Sequence, residues 1–202
     1  MEYFRQTNPD VKTELNYGSD FQLLVAVMLS AQCTDKRVNQ VTPALFAAYP
    51  DAQSIAQADV QEVLHYIKSV SYPNAKARHL VKMARILYND YAGDVPRSFA
   101  ELVKLPGVGR KTANVMEAVA FGRAAMPVDT HVFRVAHRLG LVPKSATTPL
   151  MVEKGLKKNI PPEMQADAHH WLLLHGRYIC QSRKPKCGKC PFGEICPSKI
   201  TE

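Results

Sequence analysis

The sequence contains no apolar run of the roughly 18 residues that a helix needs to cross a bilayer. Its first sixteen residues, MEYFRQTNPDVKTELN, are polar and of mixed charge, and they lack the apolar stretch of a secretion signal. The absence of both features predicts a cytoplasmic protein with no membrane partner.

Signals for β-structure are also missing, because apolar and polar residues nowhere alternate in runs bounded by hairpin turns. Apolar residues recur instead at helical spacing, as they do from Ala77 to Leu87. The sequence therefore predicts an all-α protein of about ten helices joined by short turns. Residues suited to capping a helix precede the apolar segments at Ser19, Asp35, Asp59, Asn74, Ser98, Asp129 and Thr148.

The charge is unbalanced, with 26 Lys and Arg residues against 18 Asp and Glu residues and a formal net charge of +8. A basic protein of this kind favours a polyanionic partner, usually nucleic acid, because neutralising phosphates releases counterions.

Four of the five cysteines lie close together near the C-terminus, in the spacing Cys180-x6-Cys187-x2-Cys190-x5-Cys196. In a cytoplasmic protein this pattern indicates a metal centre rather than a disulfide framework. Either a zinc ion or an iron–sulfur cluster is compatible with four thiolates. The fifth, Cys33, lies in an apolar stretch and is expected to be a small buried residue.

Basic residues alternate with these cysteines, and a bound centre would order a segment that has little apolar content of its own. A rigid array of cations would suit a phosphate backbone. The alternative is a solvated basic tail. The residues concerned are Arg183, Lys184, Lys186 and Lys189.

A glycine-containing turn, Leu105-Pro106-Gly107-Val108-Gly109, separates two helical segments, the second of which is RKTANVMEAVAF. Gly107 and Gly109 permit backbone angles closed to other residues. A turn that opens a helix exposes N–H groups and forms a small anion site, which one phosphate would fill. The alternative is a plain turn between helices.

Lys111 follows directly, where the helix dipole disfavours a cation. That field, together with Arg110, favours the uncharged amine, which can attack an electrophilic carbon and form a Schiff base. The alternative is a surface lysine that touches phosphate. Asp129 is expected to cap a helix, and the same carboxylate could also take part in catalysis.

These segments together resemble the endonuclease III family of helix–hairpin–helix DNA glycosylases. The resemblance rests on LPGVGRKTAN, VDTHVFRV and the cysteine spacing, and also on LSAQCTD at 29–35 and HHWLLLHGR at 169–177. It extends over nearly the whole chain, from about residue 15 to 197.

The resemblance implies two helical domains that flank a DNA-binding cleft. One would be a six-helix domain at 18–125, which contains the helix–hairpin–helix motif. The other would join 1–17 to 126–202 and carry a 4Fe–4S cluster on the four clustered cysteines. The protein would act as a monomer, associated with the nucleoid if its source is bacterial. Its partner would be double-stranded DNA that carries damaged pyrimidines or abasic sites.

The implied activity is that of a bifunctional DNA glycosylase and abasic-site lyase of base excision repair. Lys111 matches the nucleophile of the family and Asp129 its catalytic carboxylate. Gln32 matches the residue that fills the gap left by a flipped nucleotide. The hairpin would grip the DNA backbone through Leu105, Gly107, Val108, Gly109 and Arg110.

This sequence departs from the family pattern after Tyr66-Ile67-Lys68. The family usually has a glycine followed by an apolar wedge residue in this loop, and here the two places are taken by Ser71 and Tyr72. We expect Tyr72 to insert into the duplex, since aromatic rings stack well on bases.

Two other functions compete with this one. The adenine-specific mismatch glycosylase of the same superfamily has a glutamate in its first core helix and lacks the hairpin lysine, whereas this chain has Ala26 and Lys111. A non-catalytic DNA-binding protein would use the hairpin and the cysteine loop only to clamp phosphates.

Overall fold

The computed structural model describes residues 1–200, which form helices and loops with no β-strand among them, as the sequence predicts. No helix within this range has the length and apolar character of a membrane span. The α-helices are α1 (Glu2–Thr7), α2 (Asp20–Ser30), α3 (Asp35–Ala48), α4 (Ala52–Gln57), α5 (Val60–Ile67), α6 (Pro73–Asp90), α7 (Phe99–Leu102), α8 (Arg110–Val115), α9 (Thr130–Arg138), α10 (Pro149–Asn159) and α11 (Gln165–Tyr178).

Short polar side chains start most of these helices, because their oxygen atoms accept hydrogen bonds from N–H groups that have no partner inside the helix. Five predicted caps are confirmed, at Ser19, Asp59, Ser98, Asp129 and Thr148.

Two predicted caps are wrong. Thr34, rather than Asp35, accepts the first-turn hydrogen bond of α3. Helix α6 begins at Pro73 and not after Asn74, because proline suits the first helical position, where no N–H is needed. The segment after the hairpin also differs from the single α-helix expected there, since α8 gives way to a π-helix at Met116–Ala120.

The chain divides into two compact units. The central unit, Glu14–Phe121, contains α2 to α8 and has its core around α2. Every residue of α2 from Phe21 to Leu29 except Gln22 is buried, and a helix that is apolar on all sides is typical of a core position.

The terminal unit joins Met1–Thr13 to the chain from Gly122 onward. Phe4 of α1 stacks on Trp171 of α11, with ring centroids 6.0 Å apart, and the Trp171 indole donates to the Asn8 carbonyl over 2.8 Å. Helices α9 and α11 approach closely at Gly176, where an added Cβ would lie 2.9 Å from the Cβ of His131.

Candidate nucleic-acid interface and active site

The hairpin between α7 and α8 needs one of its two glycines for conformational reasons. Gly107 has a φ of +81°, and an added Cβ would lie 2.7 Å from Cε of Met28 and 3.0 Å from Cβ of His79. Gly109 does not use this freedom, because its φ of −91° is open to any residue. A Cβ on Gly109 would meet no described atom within 4 Å, so the backbone there borders open space at the start of α8.

The apolar residues of the hairpin anchor it rather than face outward. Leu105 and Val108 are 3% and 5% exposed, and both belong to the core of the central unit. Their side chains therefore fix the hairpin to that core.

Lys111 is exposed in the first turn of α8, directly after the hairpin. Gly109, the residue that precedes α8, provides no side-chain cap, and Lys111 lies in the same turn as the first N–H groups of this helix. The neighbouring guanidinium of Arg110 lies 5.0 Å above the centroid of the Phe99 ring. This contact holds the Arg110 side chain against the protein surface.

Gln32 and Tyr72 share an unusual backbone conformation. Their φ angles are +55° and +54°, and both side chains are exposed. A non-glycine residue in this region costs on the order of 1–3 kcal/mol, so surrounding contacts must hold it there. The structure brings the two loops together, since the hydroxyl of Ser71 donates to the carbonyl of Gln32 over 2.6 Å.

Lys76 is a buried cation that the sequence does not reveal. Its ammonium group donates to the carbonyls of Leu29 and Ala31, each over 2.7 Å. These carbonyls lie at the C-terminal end of α2, where backbone acceptors lack partners within the helix. Burial lowers the pKa of Lys76.

Asp129, in the terminal unit, is both a helix cap and a member of a polar cluster. Its Oδ1 accepts from the backbone N–H groups of His131 and Val132, over 2.9 and 2.8 Å. Its Oδ2 lies 3.1 Å from Nδ1 of His131. The capping bonds fix the carboxylate, whose side chain stays 13% exposed.

Histidines support this segment, and the sequence analysis missed both of them. His131 faces the Asp129 carboxylate, and Nδ1 of the buried His169 lies 2.9 Å from the carbonyl of Pro127. For His131, the sequence offers one signal, which is its position two residues after the predicted cap Asp129. For His169 it offers none, because Pro127 lies 42 residues away in the chain.

The four clustered cysteines line one small pocket, and none of them forms a disulfide. Apolar side chains, including Leu139 and Ile179, form part of its wall. Burial raises the pKa of the Cys190 thiol, and negative charge on the other three sulfurs acts in the same direction. Within residues 1–200, no three His, Cys, Asp or Glu side chains are placed so that they could hold a single metal ion.

Arg138, at the end of α9, ties the cysteine loop to the unit. Its guanidinium donates to the carbonyls of Gln181 and Ser182 over 2.7 and 2.9 Å, and it lies 3.6 Å from Sγ of Cys180. Nε2 of His175 lies 3.6 Å from Sγ of Cys190. Side chains from two helices thus contact the loop, and the Arg138 cation lies beside one of its four sulfurs.

The basic residues of the loop are all exposed, and the 3₁₀-turn Cys187–Lys189 lies among them. They project from the segment 183–189, and the contacts of Arg138 hold the residues directly before it, Gln181 and Ser182. The basic residues are Arg183, Lys184, Lys186 and Lys189.

An all-helical fold with a glycine hairpin, a lysine directly after it and a four-cysteine loop defines a helix–hairpin–helix protein. Comparison with known proteins gives the same class, since residues 25–162 match the family described as HhH-GPD superfamily base excision DNA repair protein.

The chain is similar to individual members of that superfamily over almost its whole length. It is 50% identical to endonuclease III of Rickettsia felis over 196 residues, which cover 97% of this chain and 91% of the relative. It is 45% identical to endonuclease III of Escherichia coli over 195 residues, 96% and 92% of the two chains. A solved structure described as a trapped endonuclease III–DNA covalent intermediate superposes with a TM-score of 0.92 at 43% identity, covering 98% of this chain and 92% of that one. The chain belongs to the endonuclease III family within the HhH-GPD superfamily.

Proposed function

We propose that this protein is a bifunctional DNA glycosylase and abasic-site lyase of base excision repair. It excises oxidised pyrimidines from double-stranded DNA and nicks the strand 3′ to the abasic site. It acts as a monomer on the chromosomal DNA of the cytoplasm. The observation that carries the proposal is the exposed Lys111 in the first turn of α8, directly after the hairpin.

Lys111 supplies the nucleophile. The target nucleotide leaves the base stack, and the amine forms a bond to the sugar C1′ while the bond from C1′ to the base breaks. The base departs with the bonding electrons and takes up a proton. The lysine nitrogen loses a proton, and its lone pair then expels O4′ from C1′, which opens the sugar ring, leaves an iminium and gives O4′ a proton. The iminium acidifies the C2′ proton, so that loss of this proton expels the 3′ phosphate by β-elimination.

Asp129 stabilises the positive charge that develops at the sugar and assists the proton transfers. The capping bonds from His131 and Val132 support this role, because they hold the carboxylate in one orientation before substrate arrives. His131, at 3.1 Å from the second oxygen, restricts that oxygen further.

The four cysteines fit a 4Fe–4S cluster as its ligands. Four thiols line one partly apolar pocket, and the Arg138 cation beside Cys180 offsets thiolate charge. When bound, such a cluster supplies structural order to the loop. Arg183, Lys184, Lys186 and Lys189 would then meet the DNA backbone without a large entropic cost.

The reaction is tested by reduction with borohydride in the presence of an oligonucleotide duplex with one abasic site. A lysine Schiff base is reduced to a stable bond, so the protein should migrate with the DNA in a denaturing gel. A non-catalytic clamp would bind the duplex without forming this adduct. The mismatch-glycosylase alternative is disfavoured by the fully buried Ala26, which leaves α2 without a carboxylate at that position.

The two hairpin glycines allow a matched comparison. Gly109→Ala should leave the melting temperature unchanged, because its backbone angles suit alanine and the added methyl meets only open space. It should weaken duplex binding by at least about ten-fold, since the methyl blocks a phosphate from the charge-assisted N–H contacts. Gly107→Ala should instead lower the melting temperature by about 5 °C or more, because it places a Cβ on a residue with a φ of +81° and brings that Cβ within 3.0 Å of Cβ of His79.

Thermal unfolding and fluorescence anisotropy with labelled duplex provide the two measurements. If Gly109→Ala bound duplex as tightly as the wild type, the backbone at this position would not contact DNA.

Tyr72 gives a second prediction. Tyr72→Ala should lower kcat/KM on duplex substrates by about ten-fold, the order expected for one base–aromatic stack, and should have less effect on single-stranded abasic DNA. Tyr72→Phe keeps the ring and should retain duplex activity. Equal losses of Tyr72→Ala on both substrates would contradict insertion, since single strands have no stack to enter.

A further inference from the structure

The loops of Gln32 and Tyr72 are joined by two side chains to which the reaction assigns no role. Ser71 precedes Tyr72, and its hydroxyl donates to the Gln32 carbonyl over 2.6 Å. Lys76, in the first turn of α6, donates to the carbonyls of Leu29 and Ala31. Three backbone carbonyls at the end of α2 are thus bound by side chains from the segment 71–76.

We propose that Ser71 and Lys76 are positioning residues that fix the Gln32 and Tyr72 loops relative to each other, so that both side chains enter a DNA duplex as one preformed unit. This inference rests on the proposed function, because it takes both residues to act on duplex DNA.

The backbone conformations explain why the two loops need support. Gln32 and Tyr72 both have positive φ angles, and such conformations persist in non-glycine residues only where the surroundings over-determine them. A loop released from its contacts would relax toward ordinary angles. Duplex binding would then have to order both loops again, and affinity would fall.

The bond from Ser71 uses a side chain that the family pattern described above does not provide. The family usually has a glycine in that place, and glycine has no hydroxyl to donate to the neighbouring loop. The contact also involves the carbonyl of Gln32 itself rather than a distant part of the loop.

Lys76 supports the same loop from inside the protein. Its side chain reaches the carbonyls of Leu29, in the last turn of α2, and of Ala31, directly before Gln32. The residue is 8% exposed, so water does not readily replace its two hydrogen bonds.

A double-mutant cycle tests the proposal with full-length protein. Ser71→Ala should lower kcat/KM on a duplex abasic site by about five-fold, the loss expected for one hydrogen bond, and leave activity on a single-stranded abasic oligonucleotide within about two-fold. In a Gln32→Ala background, the effect of Ser71→Ala should shrink to about two-fold, because one of the two side chains that it positions is already absent. Ser69→Ala makes the same chemical change at an exposed position of the same loop and should have no effect.

Hydrogen exchange of the free protein adds a measurement that is independent of activity. Ser71→Ala should speed exchange in peptides that cover both 30–34 and 70–73, while Ser69→Ala should not. Lys76→Met should also speed exchange in both loops. If this variant strongly lowers the melting temperature, the Ser71 variants alone decide whether the two loops are joined.

Equal losses on duplex and single strand, additivity with Gln32→Ala, or unchanged exchange in both loops would each overturn the positioning role. If wild-type protein failed to act on either abasic substrate, the proposed function would be wrong, and hydrogen exchange would still report whether Ser71 joins the loops.

Discussion

Lys111→Gln is expected to abolish the borohydride-trapped adduct with abasic DNA and to lower the lyase rate by at least about a thousand-fold, as removal of a covalent nucleophile does. The variant has no primary amine at the start of α8, so no Schiff base forms at that position. The measurement is adduct formation over time on a denaturing gel, with a single-turnover strand-cleavage assay in parallel.

Two further variants separate nucleophilic attack from phosphate contact. Lys111→Arg keeps the positive charge, so it should bind duplex nearly as well as wild type and still form no adduct. Lys82→Gln removes an exposed lysine of α6 in the same unit and should trap as wild type does. An adduct from Lys111→Gln at the wild-type rate would show that another amine is the nucleophile.

Cys190→Ser is expected to remove the brown colour and the broad absorbance near about 400 nm that an iron–sulfur cluster gives. Without a bound centre, the loop should lose its fixed conformation, because few apolar residues hold it. DNA affinity should fall by about ten-fold or more at moderate salt, since the loop cations no longer form a rigid array. Absorbance, metal analysis and anisotropy measure these three effects.

Cys33→Ser provides the matched control, because Cys33 packs against the core of the central unit and lies outside the pocket. The Cys33→Ser variant should remain brown and bind DNA as tightly as the wild type. Wild-type protein should contain on the order of four iron atoms per chain. Zinc in place of iron would contradict the cluster, and retained iron in Cys190→Ser would contradict this ligand set.

The sequence was sufficient to predict the helical class, five of seven helix caps and the family. Short polar residues before apolar segments are reliable signals, because the N–H groups that they satisfy are local. The wrong caps arose where a competing residue lay within a few positions, as Thr34 and Pro73 do.

Lys76 could not have been predicted as a buried residue, because its role depends on carbonyls more than forty residues away in the chain. The positive φ of Gln32 and Tyr72 was unpredictable for a similar reason, since neither residue type favours that conformation by itself. Arg138 was missed because a basic residue in a last turn is ordinarily explained by the helix dipole alone.

The division of the chain has a consequence for biosynthesis. The terminal unit, which holds the four clustered cysteines, consists of the N-terminal segment with α1 and of the residues after Phe121. The central unit is one continuous stretch of the chain. During translation, Phe4 emerges early but must wait for Trp171 and Phe192 before it can pack. The central unit can therefore fold on the ribosome while the segment that precedes it remains without its partners, and assembly of the cysteine pocket becomes the final event.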